Sequence, residues 1–434
     1  MEVRDPVHGS IHILDEEIAI IQHDFFQRLR NIKQLGFSEF VFPGATHTRF
    51  IHSIGVMCIG EKAFDKLFKS KPQTKDILRI KETFKLACLL HDIGHGPLSH
   101  STESVMPNLD QIQMPDRFLS KKDKNSKRQA THEDYTIKAI TDSSFSESFN
   151  DVERVFGVRK ENVADLIRGE SDGSDYFTIE GIDYFILLHQ LVSGELDCDR
   201  MDYLLRDSYF CGVSYGSYDL DWLLDNLEPA IIDNKAYLGI SERAVVTFDD
   251  FLLSRYHMFV MVYFHYRSVC LEQLLFKYFK TSPGEYTIPA NIEEYIEHDD
   301  HFLMKIMRNS SNPIAQSIVK NKIPKKIYES FNKDQTKHLE EIQAYFEKEG
   351  IEFIRCSSKS RLSKYYNEDT ELNNFSMKVV RTIHGSDSKE YFNINMATDL
   401  FSKFSNAHSI NRLHCNIDLL SESQKTEVER LMRS

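Results

Sequence analysis

Residues 87–100 read Ala-Cys-Leu-Leu-His-Asp-Ile-Gly-His-Gly-Pro-Leu-Ser-His, the densest group of metal-ligating side chains in the chain. The apolar residues before His91 continue a helical pattern, and the Gly and Pro residues after Asp92 predict its end. The side chains of adjacent helical residues diverge by about 100°, yet both can reach a metal ion at the helix terminus. Imidazole and carboxylate together suit a divalent ion such as Zn, Fe, Mn, Co or Ni.

Two protein groups cannot complete such a site, and the sequence offers two further candidates. His52 lies near the start of a helix predicted over Thr48–Leu67, where a lone histidine is more often a core residue than a ligand. Asp199 lies in a helix predicted over Glu195–Phe210. Surface ion pairing along that helix explains Asp202, which has an arginine one turn later, but it explains Asp199 poorly because apolar residues surround it.

The remaining pattern predicts a mainly α-helical protein with a smaller mixed α/β region at the end. Beyond about Thr281 the sequence becomes polar and Lys-rich, with short strand-like stretches. We therefore predict a helical catalytic body over residues 1–280 and a mixed region over residues 281–434, with an expected role in oligomerisation or regulation. A hairpin is predicted from Ala236–Ile240 to Val245–Thr247. The other predicted helices include Phe84–Leu90, Thr131–Ile140, Val163–Ile167, Tyr184–Leu191 and Phe248–Phe279.

Composition excludes several classes of protein. The 434 residues include 66 Asp plus Glu and 53 Lys plus Arg, a net charge of −13, so nucleic acid is not expected as the main partner. No apolar run approaches the roughly 18 residues of a membrane span, and no secretory signal pattern is visible. The seven cysteines are scattered without a Cys-x-x-Cys pair, which favours reduced structural thiols over disulfides or a Cys-rich zinc site. We expect a cytoplasmic protein with no membrane partner.

Seven ordered motifs resemble the deoxynucleotide triphosphohydrolase branch of the HD-domain metal-dependent phosphohydrolases. That branch contains bacterial dNTP triphosphohydrolases and the HD catalytic core of the animal sterile-alpha-motif dNTPase. The resemblance covers roughly residues 1–280 and includes the H…HD…D order of the candidate ligands. The motifs are Asp5–Gly9 (DPVHG), Phe26–Arg30 (FQRLR), Lys33–Gly36 (KQLG), Val41–Ala45 (VFPGA), Arg49–Gly55 (RFIHSIG), His91–Pro97 (HDIGHGP) and Asp199–Tyr203 (DRMDY).

The resemblance implies hydrolysis of a dNTP to deoxynucleoside and inorganic triphosphate by water attack at the α-phosphorus. It implies a divalent metal (Mn, Fe, Zn, Ni, Co or Mg) and additional Mg carried by the substrate triphosphate. The implied metal ligands are His52, His91, Asp92 and Asp199. The implied catalytic residues are His95, His100, Glu103 and His132, with His100 protonating the departing 5′-oxygen and Glu103 orienting it.

The same resemblance implies the substrate-binding residues. The phosphate-contacting positions are Arg49, Arg200, Tyr203 and Arg255. The sugar-pocket positions are Gln34, Leu35, Asp207 and Tyr263. The polar groups among them would bond the 3′-hydroxyl, and Leu35 and Tyr263 together would exclude a 2′-hydroxyl. From the residues alone, Tyr263 is equally well explained as a core aromatic. Phe264 stands where the animal enzyme has Gln, so we expect the base contacts to differ.

Some relatives are tetramers that are activated by nucleotides bound between subunits. Gln22 stands at the position of the guanine-reading Asp of the animal enzyme, whereas Gln27 and Arg30 match that activator site. An amide lacks the carboxylate that pairs with the guanine donors. We therefore expect a homo-oligomer, either tetramer or dimer, in which a guanine-specific activator site is absent or altered.

Two other readings of the function stay open at this point. The same centre can act on another phosphoester, such as a different nucleotide or single-stranded nucleic acid. A nucleotide-sensing protein with a decayed centre is the second alternative, and the complete set of ligand-type residues argues against it.

Overall fold

The computed structural model describes residues 1–331, 336–360, 377–383, 388–398, 400 and 408–433. A short antiparallel hairpin opens the chain, with β1 over Glu2–Asp5 and β2 over Gly9–His12. Two short helices follow, α1 over Ile18–Gln22 and α2 over Asp24–Gln27. The hairpin turn is stabilised by Asp5, whose Oδ1 accepts hydrogen bonds from the backbone N–H groups of Val7 and His8 at 2.9 Å.

Two long buried helices form the centre of the molecule. They are α3 over Arg49–Leu67 and α4 over Lys75–Leu90, so the helix predicted from Thr48 to Leu67 is confirmed. The Thr74 side chain caps α4 by accepting a hydrogen bond from Ile77 N at 3.3 Å. The start of α3 lies against the end of α4, which brings Arg49 and His52 next to Asp92.

Further helices pack around this pair and confirm the mainly α prediction. Those of the helical body are α5 (His132–Thr141), α6 (Asn150–Phe156), α7 (Lys160–Arg168), α8 (Phe185–Ser193), α9 (Cys198–Cys211), α10 (Leu220–Asp225), α11 (Val245–Met258) and α12 (Tyr266–Thr281). Those that follow are α13 (Asp300–Asn309), α14 (Pro313–Val319), α15 (Thr336–Glu349) and α16 (Glu422–Arg433).

Two small sheets complete the described fold. Their strands are β3 (Thr178–Ile179), β4 (Ile182–Asp183), β5 (Leu227–Ile232), β6 (Lys235–Ser241), β7 (Lys325–Ser330), β8 (Phe353–Ser360), β9 (Lys378–Thr382), β10 (Lys389–Asn393) and β11 (His408–Cys415). The first sheet has the order β10-β9-β6-β4-β3 with β5 also paired to β6, and the second has the order β7-β11-β8. Strand β9 runs parallel to β6, so a late segment of the chain extends a sheet of the helical body.

The predicted hairpin is wrong in its second strand. Residues Ala236–Ile240 do lie in a strand, β6, but its antiparallel partner is the preceding β5. Residues Val245–Thr247 begin helix α11 instead, after a 3-10 turn over Glu242–Ala244. The buried apolar residues of α11 recur at helical spacing, and this tertiary burial outweighs the β-propensity of a short Val-Val-Thr run.

The single helix predicted over Phe248–Phe279 is interrupted in the structure. Between α11 and α12 the residues Phe259–Tyr263 form a π-helical turn, in which Phe264 N donates to Phe259 O at 2.9 Å. His265 is extended, and its side chain accepts a hydrogen bond from Arg267 N at the start of α12. Apolar periodicity did not reveal this break because both flanking helices are apolar.

The main hydrophobic core extends beyond the helical body. It includes residues from Ile11 to Ile394, while a smaller cluster joins α15, β11 and α16. The division at residue 280 therefore stays a prediction, and the described core contacts cross it. No helix among the described residues has both the length and the apolar character that a membrane crossing needs.

Candidate active site

Four predicted metal ligands converge where α3, α4 and α9 meet. His52 lies on α3, His91 and Asp92 follow the end of α4, and Asp199 lies in the first turn of α9. Asp199 Oδ1 is 3.0 Å from His52 Nε2 and 3.6 Å from His91 Nε2. Asp92 completes the set, with Oδ1 3.4 Å from His91 Nε2 and Oδ2 3.6 Å from His52 Nε2.

The hydrogen bonds of the two histidines fit a metal site. His52 Nδ1 is 2.7 Å from Asp202 Oδ2, and His91 Nδ1 is 2.9 Å from Cys88 O. Each Nε2 is buried and has no aligned hydrogen-bond partner among the described residues. Ligating histidines usually hold one ring nitrogen on a carboxylate or carbonyl and leave the other for the metal. The residues present therefore fit a divalent cation, as expected for this donor set.

The electrostatics of this centre favour positive charge. Burial opposes charging of His52, but the carboxylates of Asp199 and Asp202 outweigh it and raise its pKa to about 9. The pKa of His91 also rises to about 9, because Asp92 and Asp199 outweigh its burial. The pKa of Asp199 stays below its usual value despite burial, because the two imidazoles lie against it. A bound cation would release these imidazole protons, since only neutral histidine coordinates metal.

A buried network behind His52 fixes its orientation, and the motifs did not reveal its contacts. Asp202 Oδ1 is 2.6 Å from His8 Nε2, and Asp202 also accepts from Arg206 Nε at 2.8 Å. Arg206 in turn donates to Asp5 at 2.8 Å. Asp202 and Arg206 are fully buried, so the surface ion-pair interpretation of this pair is wrong. Gly55 allows the approach, because a Cβ there would lie 2.1 Å from Asp202 Oδ1.

A second cluster of imidazoles lies beside the candidate metal centre. His100 Nδ1 and His132 Nδ1 contact the same oxygen of Glu103, at 3.0 and 2.5 Å. These two contacts outweigh the burial of Glu103 and lower its pKa to about 2. The His95 ring stacks on His132 with centroids 3.8 Å apart, and His95 Nε2 is 3.2 Å from Asp92 Oδ1. All four predicted catalytic residues are thus in one group.

The loop that precedes His100 has a strained backbone, and residues of other helices hold it in place. Leu98 and Ser99 have φ angles of 54° and 60°, a left-handed conformation that is costly for residues other than glycine. Asp300 Oδ1 accepts from Leu98 N at 2.6 Å, and Ser99 Oγ accepts from Arg49 Nε at 3.0 Å. The strain is therefore maintained by contacts from α13 and α3.

These groups line one cleft with a volume of about 360 Å³. The predicted site residues among its lining are Gln34, Leu35, Arg49, His91, Asp92, His95, His100, His132, Asp199, Arg200, Tyr203, Asp207 and Tyr263. His52 and Glu103 lie behind the lining, where they contact its members. Arg255 does not line the cleft. A larger cavity of about 850 Å³ lies near α12 and β8, and its described lining contains no histidine or cysteine.

Each predicted phosphate-binding arginine is held by a carboxylate. Arg49 pairs with Asp92. Arg200 pairs with Asp197, which also caps α9 by accepting from Arg200 N at 2.8 Å. Arg255 Nη1 donates to Glu195 Oε1 at 2.7 Å. The contact of Glu195 with Arg255 depends on tertiary packing, and no local pattern indicates it. The contact of Asp197 with Arg200 is local, and it follows from α9 beginning at Cys198 instead of at the predicted Glu195. A guanidinium has five donors, so one carboxylate leaves capacity for a phosphate.

Two of the residues predicted for a sugar pocket, Asp207 and Tyr263, contact each other in the cleft. Tyr263 donates its hydroxyl to Asp207 Oδ2 at 2.8 Å, so this tyrosine is more than a core aromatic. His47 Nε2 is 2.7 Å from Asp207 Oδ1, and its ring stacks on Phe210. His47 belongs to no motif that we identified, and a histidine just before α3 was the only signal that could have indicated it.

The three predicted activator residues lie outside this cleft. Arg30 Nε donates to Gln27 Oε1 at 2.7 Å, and Gln27 Nε2 donates to Ile21 O at 2.7 Å. The Arg30 guanidinium also lies over the Phe50 ring. Gln22 is exposed. The role of these residues stays a prediction.

The fold and the site define a helical phosphohydrolase with a His/Asp metal centre. A family profile described as HD domain matches residues 49–206, which contain all four candidate ligands. The chain is 31% identical over 368 residues to the uncharacterized protein YwfO of Bacillus subtilis, covering 79% of this chain and 74% of that protein. The chain belongs to the HD-domain family of phosphohydrolases, which confirms the predicted resemblance.

Two further relatives extend this comparison. A Dictyostelium discoideum protein named deoxynucleoside triphosphate triphosphohydrolase SAMHD1 homolog is 29% identical over 327 residues, covering 74% of this chain and 57% of that protein. A crystal structure of a hypothetical protein from Aquifex aeolicus is similar with a TM-score of 0.74 at 26% identity, covering 99% of both chains.

Proposed function

We propose that this protein hydrolyses deoxynucleoside triphosphates to deoxynucleosides and inorganic triphosphate by water attack at the α-phosphorus. The observation that carries the proposal is one cleft that combines a His/Asp metal centre with the bonded pair Asp207 and Tyr263. Such a pair suits a sugar hydroxyl, whereas the neighbouring arginines suit phosphates. The name of the Dictyostelium relative supports the same substrate class.

The metal ligands in this proposal are His52, His91, Asp92 and Asp199. A divalent cation bound there supplies Lewis-acid activation of water and of a phosphate oxygen near neutral pH. The donor set suits Mn, Fe, Zn, Ni, Co or Mg, and we expect additional Mg to accompany the substrate triphosphate.

Proton transfer to the leaving group is assigned to His100. Its Nδ1 contacts Glu103, so an Nδ1–H held there leaves Nε2 to carry or give up the second proton. The low pKa of Glu103, about 2, keeps this carboxylate charged, so its oxygen can accept a hydrogen bond from His100 and from His132 and orient both rings. The deoxynucleoside 5′-oxygen would take the proton as its bond to phosphorus breaks.

The remaining cleft residues hold the substrate. Arg49, Arg200 and Tyr203 would contact the phosphates, and Arg255 would support them from behind. Asp207 with Gln34 would bond the 3′-hydroxyl, while Leu35 and Tyr263 would occupy the space of a 2′-hydroxyl.

We further propose a homo-oligomer with an absent or altered guanine site at Gln22, Gln27 and Arg30. If trace GTP or dGTP strongly activated the hydrolysis of another dNTP, that result would contradict the proposal that the guanine site is absent or altered.

The test is product analysis. The metal-loaded full chain is incubated with each of the four dNTPs, and with the matching ribonucleotides, and the phosphate product is identified by phosphorus NMR. Inorganic triphosphate from dNTPs alone is the expected result. Orthophosphate or pyrophosphate, or cleavage of single-stranded nucleic acid instead, would assign a different phosphoester to the same centre. Nucleotide binding without turnover would indicate a sensor.

A further inference from the structure

Three ligand-type side chains outside the cleft meet between a helix and the second sheet. Cys270 lies on α12, Cys356 on β8 and His414 on β11. One ligand atom from each lies within 4.8 Å of the other two. All three side chains are fully buried. These residues, the Cys–His cluster, are far apart in sequence, which is why cysteine spacing predicted no metal site.

We propose that the Cys–His cluster is a second metal site, with Zn²⁺ as its occupant. Two thiolates and an imidazole are ligands that favour zinc over the hard cations Mg²⁺ and Ca²⁺. Cys356 Sγ is 3.7 Å from His414 Nδ1. Tetrahedral bonds of about 2.3 Å to sulfur and 2.0 Å to nitrogen place two such ligand atoms roughly 3.5 Å apart, so the observed spacing needs little adjustment.

The environment of His414 is the independent observation that points to a ligand. Its Nε2 is buried and has no hydrogen-bond partner among the described residues. The other ring nitrogen has only the weakly polar Cys356 sulfur beside it. The Tyr266 ring stacks on the imidazole with planes 20° apart, which fixes the ring without offering it a hydrogen bond. Neither ring nitrogen therefore has a nitrogen or oxygen partner among the described residues, although buried polar groups normally have one, and coordination at Nδ1 would supply a strong partner to the nitrogen beside Cys356.

The position of the cluster assigns the metal a structural role. Cys356 and His414 lie on adjacent antiparallel strands, in which Arg412 is paired with Cys356. Cys270 lies on the helix that begins three residues after Tyr263. A shared zinc ion would therefore tie the sheet formed by β7, β11 and β8 to the helix behind the cleft. Three protein ligands leave the fourth position to water or another small donor.

Sulfur makes this site distinguishable from the active centre, whose ligands contain none. The reduced, metal-free full chain is titrated with Co²⁺, and the near-ultraviolet charge-transfer band of thiolate-bound cobalt is recorded. We expect the band to reach the intensity of one thiolate-bound Co²⁺ per chain, and added Zn²⁺ to displace it. Cys270→Ser and Cys356→Ser each remove one thiolate and should each lose at least half of the band, and His414→Ala should weaken Co²⁺ binding at the thiolates at least tenfold.

Cys415→Ser is the matched control. Cys415 is fully buried on the same strand as His414 but packs into the smaller core cluster, so its variant should keep the band. The proposal is overturned if the wild-type chain gives no thiolate band, or if both cluster-cysteine variants keep the band at its full intensity. A disulfide between Cys270 and Cys356 in the freshly purified chain, seen as two missing hydrogens by intact mass, would overturn it in favour of a redox pair. The wild-type titration decides the question even if a variant fails to fold.

Discussion

His52 lies between two carboxylates, one for each ring nitrogen. Asp199 lies on the side of the candidate metal centre, and Asp202 lies on the buried side. The second contact sets which nitrogen faces the metal, because the ring cannot turn without losing a buried charge-assisted hydrogen bond. At the scale of single residues, the geometry of the centre depends on groups that never touch the substrate.

Replacing the outer carboxylate should therefore weaken metal binding without removing a ligand. We expect Asp202→Asn to lower the affinity for the metal about 10- to 100-fold, measured by competition with a metal-sensitive dye. Asp197→Asn is the control, because Asp197 is buried at the N-cap of the same helix but pairs with Arg200. Equal loss of affinity in both variants would show that general destabilisation of α9 is responsible.

The proposed division of roles around the centre predicts different defects. His91→Ala and Asp92→Ala should lose the bound metal and all turnover, because each removes a ligand. His100→Ala should keep its metal and slow turnover by about 10²- to 10⁴-fold, since it removes only the proton donor. Metal analysis beside steady-state rates separates the two classes. The same loss of metal in all three variants contradicts this assignment.

The local sequence predicts some residues of the candidate site, but it does not predict the contacts that orient them. His91 and Asp92 are adjacent and end an apolar helix, so their joint role was visible without a fold. The contacts of Asp202 with His8, and of Arg255 with Glu195, join residues 194 and 60 positions apart. Such pairs form only when the helices pack, and no local pattern encodes them.

At the scale of elements, α4 is joined to the N-terminal segment by a buried charge cluster. Lys85 Nζ is 2.8 Å from Glu17 Oε1 and 3.5 Å from Glu82 Oε2, with the partly exposed Glu61 at 3.8 Å. Burial and the charge of Glu17 raise the pKa of Glu82 by more than the charge of Lys85 lowers it, so that this pKa is about 8. At a pH between 4.5 and about 8 the folded chain therefore keeps a proton on Glu82 that the unfolded chain has lost.

This raised pKa predicts a pH dependence of stability. Between the ordinary carboxyl value near 4.5 and about 8, the folded state binds more protons, so stability falls as pH rises. Glu82→Gln should remove up to about 1.4 kcal/mol of that fall per pH unit, measured by urea unfolding from pH 5 to 8. Glu61→Gln should keep the wild-type slope. Parallel curves for wild type and Glu82→Gln would contradict the raised pKa.

A helix or strand can be predicted from the sequence when its own residues determine it, and not when its packing against the core does. The sequence predicts helix α3 within one residue, because the Pro43-Gly44 break precedes it and a long run of apolar residues marks it. The segment Val245–Thr247 was predicted as a strand, because three β-branched or apolar residues do not reveal what covers them. Only the packing of α11 against the core decides that segment.

At the scale of the whole molecule, the late strand β9 contributes to the core of the helical body. Val379 and Val380 are buried there, and β9 pairs in parallel with β6. Val379→Ala should destabilise the full chain by about 2 kcal/mol, from two lost methyl groups and the cavity they leave. Arg381→Ala on the same strand, which removes an exposed ion pair with Glu242, should have no measurable effect. Equal midpoints of urea unfolding for both variants would contradict this role of β9.

The π-helical turn at Phe259–Tyr263 adds one residue to the end of α11 before the extended His265. Excising a single residue of this turn that precedes Tyr263 would rotate the Tyr263 side chain by about 100° relative to α11. Its hydroxyl would then lose Asp207. A one-codon deletion would thus break a contact of the cleft while every side chain that lines it kept its identity.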